Sequence, residues 1–310
     1  MKVVFMGTPD FAVGTLERII ADGHEVAAVI SQPDKPKGRS RELVMPPVKQ
    51  CAVKINIPVY QPVKLRNSEV VDIIREIAPD VIVVVAFGQL LPQAVLDIPK
   101  YGCINVHASL LPKYRGAAPI QWAVIDGLEK TGVTTMLMDA GLDTGDILLQ
   151  EEITLDRKET GGSLFDRLCV LGAELLSKTL KGLEQGIITP VKQDDSVATH
   201  VGMLTKEMGN IDFNKPAVEI ERLIRGLNPW PSAFTRLNGK QLKIWDSEVV
   251  ADTQEAVCGT ITEVLKNGIV VKCGEGSLKI TELQLEGKKR MMADAFLRGV
   301  TVTKGSMLGE

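Results

Sequence analysis

Two side chains that could stabilise an oxyanion and move a proton lie together in the segment YGCINVHASLLPKYRG, residues 101–116. Asn105 and His107 follow a short apolar run that predicts the end of a β-strand, and residues two apart on an extended chain point to the same face. A carboxamide can donate a hydrogen bond to a developing oxyanion, and an imidazole can donate one or transfer a proton. The segment is therefore a candidate catalytic site. A buried histidine held by the asparagine is the structural alternative.

Carboxylates that could complete such a site follow in the segment DAGLDTGDILLQ, residues 139–150. Acids separated by glycines between two predicted strands indicate a tight loop that presents carboxylates. Asp139 and Asp146 are interpreted as turn or capping residues, because short acids often bond to the backbone of their own loop. If a carboxylate of this loop meets Asn105 and His107, the trio suits acyl transfer to an amine without a covalent enzyme intermediate.

Strands and helices alternate through the first part of the chain and predict how these residues are positioned. The apolar run after Met1 predicts a buried first strand, and residues 80–86, DVIVVVA, predict a strand that is covered on both faces. Thr8 is expected to cap the first helix, and Trp230 is expected to lie in the core rather than to stack on a ligand. This alternation predicts a doubly wound, mostly parallel α/β sheet, in which ligands bind at the carboxyl ends of the strands. The turn GTPDFA is not the GxGxxG pattern of dinucleotide-binding proteins.

A basic, proline-rich segment, QPDKPKGRSRELVMPP at residues 32–47, interrupts that alternation. It shows neither helical nor strand periodicity, so it is predicted to be a long inserted loop. Long loops within compact domains are often functional, and a basic loop suggests contact with phosphate. A solvated surface loop without a binding role is the alternative.

The pattern changes after about residue 190. Residues 193–199 are polar and lack core spacing, which predicts a linker. Short strands separated by Gly and Asn turns then predict a small β-barrel. We therefore expect a first domain over residues 1–189, a linker over 190–206 and a barrel domain over 207–310.

Composition narrows the class of protein. The formal net charge is −3, so charge over the whole chain does not indicate a nucleic-acid binder, although a local basic surface is sufficient for one. The five cysteines are scattered and form no CxxC pair, which predicts reduced thiols rather than a zinc site or a disulfide framework. We find neither a long apolar window nor a signal-peptide pattern, so a cytoplasmic protein is expected.

The motifs HASLLPKYRGAAPIQ and GLDTGD resemble those of the folate-dependent formyltransferases. The segments GTPDFA, PDKPKGR and NPWPSAF, with the predicted barrel, extend the resemblance over essentially the whole chain. It implies a Rossmann-like formyltransferase domain followed by an OB-like barrel that binds tRNA. It also implies that Asn105, His107 and Asp143 are the catalytic residues and that no metal is needed.

The resemblance implies that 10-formyltetrahydrofolate is the formyl donor. The folate site of the family corresponds to one strand end, one turn and one acidic residue of this chain. Its implied members are Phe87, Gly88, Gln89, Leu90, Ser109, Leu110, Leu111, Pro112 and Asp139.

The basic loop resembles that of the members that formylate the α-amine of methionine on initiator tRNA. The implied tRNA-binding residues are Lys35, Lys37, Arg39, Arg41 and Lys206. A monomer is the simplest expectation. Two other classes of function stay open: a related enzyme that formylates an amino sugar-nucleotide or a glycinamide ribonucleotide, or hydrolyses the formyl group, and a non-catalytic RNA-binding protein on the same scaffold.

Overall fold

The computed structural model describes residues 1–37, 42–66, 68–251 and 254–309, and it describes the backbone but not the side chain of Lys37. The strands, in chain order, are β1 (Lys2–Gly7), β2 (Glu25–Ile30), β3 (Lys35–Lys37), β4 (Glu42–Val44), β5 (Val59–Tyr60), β6 (Val81–Val85), β7 (Cys103–His107), β8 (Arg115–Gly116), β9 (Lys130–Leu137), β10 (Ile147–Thr154), β11 (His200–Val201), β12 (Ala233–Leu237), β13 (Lys240–Val250), β14 (Ile261–Leu265), β15 (Gly268–Lys272), β16 (Ser277–Leu285) and β17 (Met291–Met292). The helices are α1 (Asp10–Ala21), α2 (Pro47–Lys54), α3 (Val70–Ile77), α4 (Gln93–Leu96), α5 (Pro119–Ile125), α6 (Gly161–Glu184), α7 (Ala217–Gly226) and α8 (Ala293–Leu297).

These elements divide into two compact units. The first comprises Met1–Gly116, Lys130–Thr154 and Phe165–Val201. The second comprises Ala117–Glu129, Leu155–Leu164 and Gly202–Glu310.

A seven-stranded sheet with the order β10-β9-β7-β6-β1-β2-β5 forms the centre of the first unit. The pairs β5–β2, β2–β1, β1–β6 and β6–β7 are parallel. The pairs β7–β9 and β9–β10 are antiparallel. The chain adds strands on one side of β1 and then returns to the other side with β6, which places a topological switch point between β1 and β6. The predicted doubly wound, mostly parallel sheet is confirmed, and its ligand-binding edge is the edge where these strands end.

Continuous apolar sequence explains why the central strands lie inside. Every residue of β6 is buried, as is β1 from Val3 onward. Helix α1 turns Phe11, Leu16 and Ile19 towards the interior, and this spacing gives a single apolar helix face. The buried strands thereby fix the positions at which the loops after β1, β6 and β7 begin.

The basic segment differs from the predicted structureless loop, because β3 and β4 pair as an antiparallel ladder. Lys35 pairs with Val44, and Lys37 pairs with Glu42. The side chains of β4 are exposed, so the strand has no buried face and no apolar alternation by which its sequence could show it. Residues 38–41, between the two strands, lie outside the described residues.

Two other expectations were wrong. Pro9, and not Thr8, occupies the N-cap position of α1, and the Thr8 hydroxyl instead donates to the Phe87 carbonyl at 3.2 Å. Trp230 was expected in the core but is 57% exposed. It lies between two prolines that interrupt regular structure, so its apolar character alone gave no guide to burial.

The second unit contains an antiparallel sheet with the order β12-β13-β16-β15-β14, and β17 pairs with β16. Its core combines alternate residues of these strands with the apolar face of α7, including Ile220, Ile224, Leu242 and Ile280. The predicted C-terminal β domain is confirmed. In the described part of the chain, no helix is both long enough and apolar enough to span a membrane.

Candidate active site

The structure brings Asn105, His107 and Asp143 together at the carboxyl end of β7. The Asn105 Nδ2 atom donates to Asp143 Oδ1 at 3.4 Å. The other carboxylate oxygen, Oδ2, lies 3.7 Å from His107 Nδ1. The His107 and Asp143 side chains are only 7% and 13% exposed. An amide, an imidazole and a carboxylate therefore share one sheltered position, where charge interactions are stronger than in water.

The hydrogen bond on the far side of His107 sets the role of each ring nitrogen. Nε2 lies 2.9 Å from the Tyr114 carbonyl oxygen. Because a carbonyl only accepts hydrogen bonds, Nε2 must carry a hydrogen. The other ring nitrogen, Nδ1, faces the Asp143 carboxylate.

Asp143 is held by its backbone as well as by its side chain. Its φ angle is +55°, in the left-handed region that non-glycine residues seldom occupy. Its Oδ2 atom accepts a hydrogen bond from the Gly116 N–H at 2.8 Å. At Gly145 a β-carbon would lie 1.6 Å from the Leu137 carbonyl oxygen, so the tight return of this loop to β9 requires glycine. The glycines of the acidic segment therefore permit the close turn that presents Asp143.

The implied folate residues after β6 lie at the switch point of the sheet. The Phe87 side chain is buried, and its carbonyl accepts hydrogen bonds from Thr8 Oγ1 and Gln32 Nε2, both at 3.2 Å. Gly88 follows with a φ of +80°. The end of β6 is thus tied to the turn after β1 and to the segment after β2.

Gln89 and Leu90 differ in what they offer to a ligand. The Gln89 side chain accepts from the Leu65 N–H at 2.7 Å and donates to the Pro62 carbonyl at 3.1 Å, so it fixes a neighbouring loop. Leu90 is 71% exposed. At this position the backbone and an accessible apolar side chain are the groups that remain available to a ligand.

The turn formed by Ser109, Leu110, Leu111 and Pro112 is held from within the sheet. Thr134 Oγ1 donates to the Ser109 carbonyl at 2.7 Å and accepts from the Leu111 N–H at 3.1 Å. Gln150 Nε2 donates to the Leu111 carbonyl at 2.8 Å. The side chain of Ser109 is itself engaged, since its hydroxyl donates to a main-chain carbonyl of the same turn. The turn is therefore fixed in place before any ligand binds.

Asp139 stabilises its own loop. Its Oδ1 atom accepts from the Gly141 N–H at 2.9 Å and from Thr144 Oγ1 at 2.7 Å. This is the arrangement of a turn carboxylate, as interpreted from the sequence. The other flanking acid, Asp146, accepts a hydrogen bond from Leu137 N through its main-chain carbonyl at 2.9 Å.

The implied tRNA-binding residues are placed only in part. Lys35 is exposed on β3, and Lys206 is exposed at the start of a short 3-10 turn, Glu207–Gly209. The backbone of Lys37 belongs to β3. Arg39 and Arg41 lie outside the described residues.

The residues that hold the trio in place were not predicted from the sequence. Gln193, in the segment predicted to be a linker, is 5% exposed and donates to the main-chain carbonyl of Asp143 at 2.9 Å. Residues 193–201 belong to the first unit, and β11 pairs with β8. Thr199 bonds through its side chain to the Tyr114 N–H at 2.8 Å. A polar segment that bonds to backbone carries no apolar periodicity, and for that reason it was interpreted as solvated.

Among the described residues, no group of three or more His, Cys, Asp and Glu side chains has the arrangement of a metal site. The five cysteines have no disulfide partner, and two of them, Cys103 and Cys273, are buried.

Comparison with known proteins identifies similar chains. The formyl transferase family matches residues 1–180, and the family of formyl transferase C-terminal domains matches residues 203–301. A methionyl-tRNA formyltransferase of Lachnospira eligens is 63% identical over 315 residues, which cover 100% of each chain.

Two solved structures share the fold at lower identity. WlaRD, a sugar 3N-formyl transferase solved in the presence of dTDP and 5-N-formyl-THF, has a TM-score of 0.66 and 20% identity, with 93% of this chain and 99% of that chain covered. A variant of HypX from Aquifex aeolicus has a TM-score of 0.65 and 16% identity. That comparison covers 97% of this chain and 50% of HypX, so the chain spans about half the length of HypX.

Proposed function

Since the chain belongs to the methionyl-tRNA formyltransferase family, we propose that it transfers the formyl group of 10-formyltetrahydrofolate to the α-amine of methionine on initiator tRNA. The observation that carries this proposal is the contact of Asn105, His107 and Asp143 at the carboxyl end of a parallel strand. The product is N-formylmethionyl-tRNA, the aminoacyl-tRNA with which translation starts.

The trio supports direct attack of the amine. The amine, as the free base, forms a bond to the formyl carbon, and the carbonyl electron pair moves to oxygen. Asn105 donates a hydrogen bond to that oxyanion through Nδ2, and the protonated His107 donates one through Nδ1, since Nε2 is engaged by the Tyr114 carbonyl. A preorganised donor costs no reorganisation when the charge develops. Asp143 balances the charge of the protonated imidazole and helps to remove the proton of the amine, directly or through water. The folate nitrogen accepts a proton as its bond to the formyl carbon breaks, so no group stays on the enzyme.

The donor site of this proposal is the edge of the sheet between β6 and β7. Its members are those that the family resemblance implied: Phe87, Gly88, Gln89, Leu90, Ser109, Leu110, Leu111, Pro112 and Asp139. The fixed turn after β7 supports this assignment, because main-chain groups that are already ordered can bind a flat polar ring at low entropic cost. Gln89 and Asp139 act mainly by shaping the site, since their side chains bond within the protein.

The acceptor site is proposed to extend along the basic segment. Lys35, Lys37, Arg39 and Arg41 would contact the phosphates near the acceptor end of the tRNA, and Lys206 would add a contact at the start of the second unit. The exposed position of Lys35 and Lys206 supports this role. We assign formyl transfer to residues 1–189 and further tRNA binding to an OB-like barrel over residues 207–310. Residues 190–206 connect the two. The enzyme is proposed to be cytoplasmic and to act as a monomer.

A small amine acceptor is the second candidate, because a structure with the same fold is that of a sugar 3N-formyl transferase. The basic segment and the similarity to a methionyl-tRNA formyltransferase over the full length favour tRNA instead. The intact trio disfavours a non-catalytic RNA-binding protein, which would have no need for it.

A panel of acceptors tests the proposal. The purified protein is supplied with 10-formyltetrahydrofolate labelled in the formyl group, and with methionyl initiator tRNA, an amino sugar-nucleotide, a glycinamide ribonucleotide or water alone. Label is expected on the methionyl-tRNA. Label on a small amine at a higher kcat/KM, or formate released equally fast without an acceptor, would replace the proposed function with the corresponding activity.

A further inference from the structure

A buried glutamine, Gln193, connects the loop of Asp143 with the segment that follows β7. Its Nε2 atom donates to the Asp143 carbonyl at 2.9 Å and to the Gly145 carbonyl at 2.7 Å. Its Oε1 atom accepts from Arg115 Nε at 3.1 Å and from Arg115 Nη2 at 2.9 Å. One side chain of 5% exposure thus makes four hydrogen bonds with nitrogen and oxygen atoms of two separate segments of the chain.

The first of these segments needs such support. Asp143 has a left-handed backbone, and strain of this kind persists only where surrounding groups over-determine it. Gln193 bonds to the carbonyl of Asp143 itself and to that of Gly145, two residues later. These bonds fix the peptide planes around Asp143 and so the direction in which its carboxylate leaves the loop.

The second segment carries the other partners of the catalytic groups. Tyr114 supplies the carbonyl that fixes His107, and Gly116 supplies the N–H that binds Asp143. Arg115 lies between them and is 3% exposed. A buried guanidinium needs acceptors, and it finds them in Gln193 and in Asp195, whose Oδ1 lies 2.8 Å from Nη2.

We propose that Gln193 is a positioning residue for formyl transfer, whose carboxamide holds Asp143 in the orientation that faces Asn105 and His107. This inference rests on the proposed function. Gln193 itself bonds to main-chain carbonyls and to Arg115, and it acts on the reaction through Asp143. A residue with a purely structural role would instead lower stability and leave the geometry of the trio unchanged.

Two nearly isosteric variants distinguish the hydrogen bonds that the Gln193 carboxamide donates through Nε2 from those that it accepts through Oε1. Gln193→Met removes every hydrogen bond. Gln193→Glu keeps an acceptor for Arg115 but, as a carboxylate, cannot donate to the Asp143 and Gly145 carbonyls. We expect both to lower kcat by about 10²-fold with KM values for donor and acceptor near those of the wild type, because small displacements of catalytic groups have costs of this order. A Gln193→Glu enzyme with wild-type kcat would overturn the proposal.

A double-mutant cycle with Asp143→Asn tests whether Gln193 acts through Asp143. In the Asp143→Asn background, Gln193→Glu is expected to cost less than about threefold further, since the group it positions is already lost. An equal loss of kcat in both backgrounds would contradict a positioning role. Thr179→Val is the matched control for stability: Thr179 is buried, bonds to Thr135 Oγ1 at 2.8 Å, and lies on α6 outside the site. Its kcat should stay at the wild-type value.

Amide hydrogen exchange gives a reading that does not depend on turnover. In Gln193→Glu, the amides of residues 140–146 and of Gly116 should exchange faster than in the wild type, while those of β6 should not change. If the wild-type protein transfers no formyl group to methionyl-tRNA, the proposed function fails, and exchange still decides whether Gln193 holds this loop. Unchanged exchange at residues 140–146 would overturn the inference in either case.

Discussion

At the scale of single residues, substitution of Asn105 is the change most directly expected to affect catalysis without affecting folding. It lies half-buried within β7, two residues before the strand ends, and its amide makes one long hydrogen bond, 3.4 Å, to Asp143. A bond of this length contributes little to stability, so the amide is available for an oxyanion. The role of Asn105 is therefore expected to appear in kcat rather than in the folded state.

We predict that Asn105→Ala lowers kcat by about 10²–10³-fold, the usual effect of removing one oxyanion donor. The measurement is steady-state formyl transfer, with circular dichroism to check that the fold is kept. Asn214→Ala, at an exposed asparagine of the second unit, is the control and should keep the wild-type kcat. An Asn105→Ala enzyme with near-normal turnover would remove Asn105 from the mechanism.

The reactivity of the cysteine thiols tests whether formyl transfer proceeds without a covalent enzyme intermediate. Burial raises the pKa of the Cys103, Cys169 and Cys273 thiols to about 12 in each case. Burial also raises the pKa of Cys51. A thiol whose pKa is raised keeps its proton at neutral pH, and the protonated form is a poor nucleophile.

Iodoacetamide near neutral pH should therefore leave Cys103, Cys169 and Cys273 unlabelled in the native protein, while formyl transfer continues at the untreated rate. Mass spectrometry of tryptic peptides reads the labelling, and the unfolded protein, in which all the thiols are accessible, provides the control. Rapid labelling of Cys103 together with loss of turnover would point to a catalytic thiol and against direct transfer.

Single residues of the candidate site also show which features could be predicted from the sequence and which could not. Asn105 and His107 could be proposed from their spacing on a strand end, because side-chain direction on a strand follows from sequence position. Asp143 could be chosen over its neighbours only through the family motif, since all three acids occupy one loop. Gln193 was missed because its partners are backbone carbonyls some 50 residues away in sequence, and no local pattern encodes such bonds.

At the scale of elements, the hairpin of β3 and β4 is attached to the rest of the first unit by a cluster of polar side chains. The Lys49 ammonium lies 2.8 Å from Asp34 Oδ2 and 2.7 Å from Gln61 Oε1, and Gln61 Nε2 donates to Asp34 Oδ1 at 2.7 Å. Asp34 directly precedes β3. Hydrogen bonds from Gln61 and Lys49 lower the pKa of the Asp34 carboxyl. The cluster thus fixes the point at which the hairpin begins.

We predict that Asp34→Ala loosens this attachment, which should raise amide exchange in β3 and β4 and raise KM for methionyl-tRNA without changing KM for the folate donor. Asp72→Ala is the matched control, because Asp72 forms an exposed ion pair with Arg75 on α3. Unchanged exchange in the hairpin of Asp34→Ala would show that other contacts fix it.

The pH dependence of the hairpin follows from the sign of the Asp34 shift. A carboxyl whose pKa is lowered on folding stabilises the fold fully above its unfolded pKa, and this contribution is lost as the pH falls through the lower folded value. Exchange protection of β3 and β4, corrected for intrinsic exchange rates, should therefore stay constant from about pH 6 to about pH 9 as far as Asp34 is concerned. A loss of protection near neutral pH would contradict this role of the carboxylate.

Elements with a buried face could be predicted, and elements without one could not. The run of β-branched residues in β6 is sufficient to identify a central strand. The strands β3 and β11 are short and carry no apolar pattern, so the hairpin was predicted as a loop and β11 as part of a linker. Residues beside both strands form polar contacts with residues that are distant in sequence, such as Asp34 with Gln61 and Thr199 with Tyr114.

At the scale of the whole molecule, the charge is distributed unevenly along the chain. The formal net charge is −3, yet the segment around Lys35 is basic. Contacts with phosphates release counterions, so binding of tRNA should weaken steeply with salt in spite of the net negative charge.

The slope in question is that of log K against log salt concentration, where K is the association constant for tRNA. We predict that Lys35→Ala reduces the magnitude of this negative slope by about 0.7–0.9, the value expected for one phosphate contact. Fluorescence anisotropy with labelled initiator tRNA measures the slope. Lys178→Ala is the control, since Lys178 is engaged by Glu151 at 2.6 Å on the first unit. A slope that Lys35→Ala leaves unchanged would place tRNA elsewhere.

The central claim is that this chain moves a formyl group directly from folate to methionine on initiator tRNA. Rapid-quench measurement of a single turnover tests it, with labelled donor and enzyme in excess over methionyl initiator tRNA, methionyl elongator tRNA or no acceptor. We predict label on the α-amine of the initiator methionine, much slower transfer to the elongator, and no comparable loss of formyl without an acceptor. Equal loss of formyl as formate in all three reactions would contradict the account.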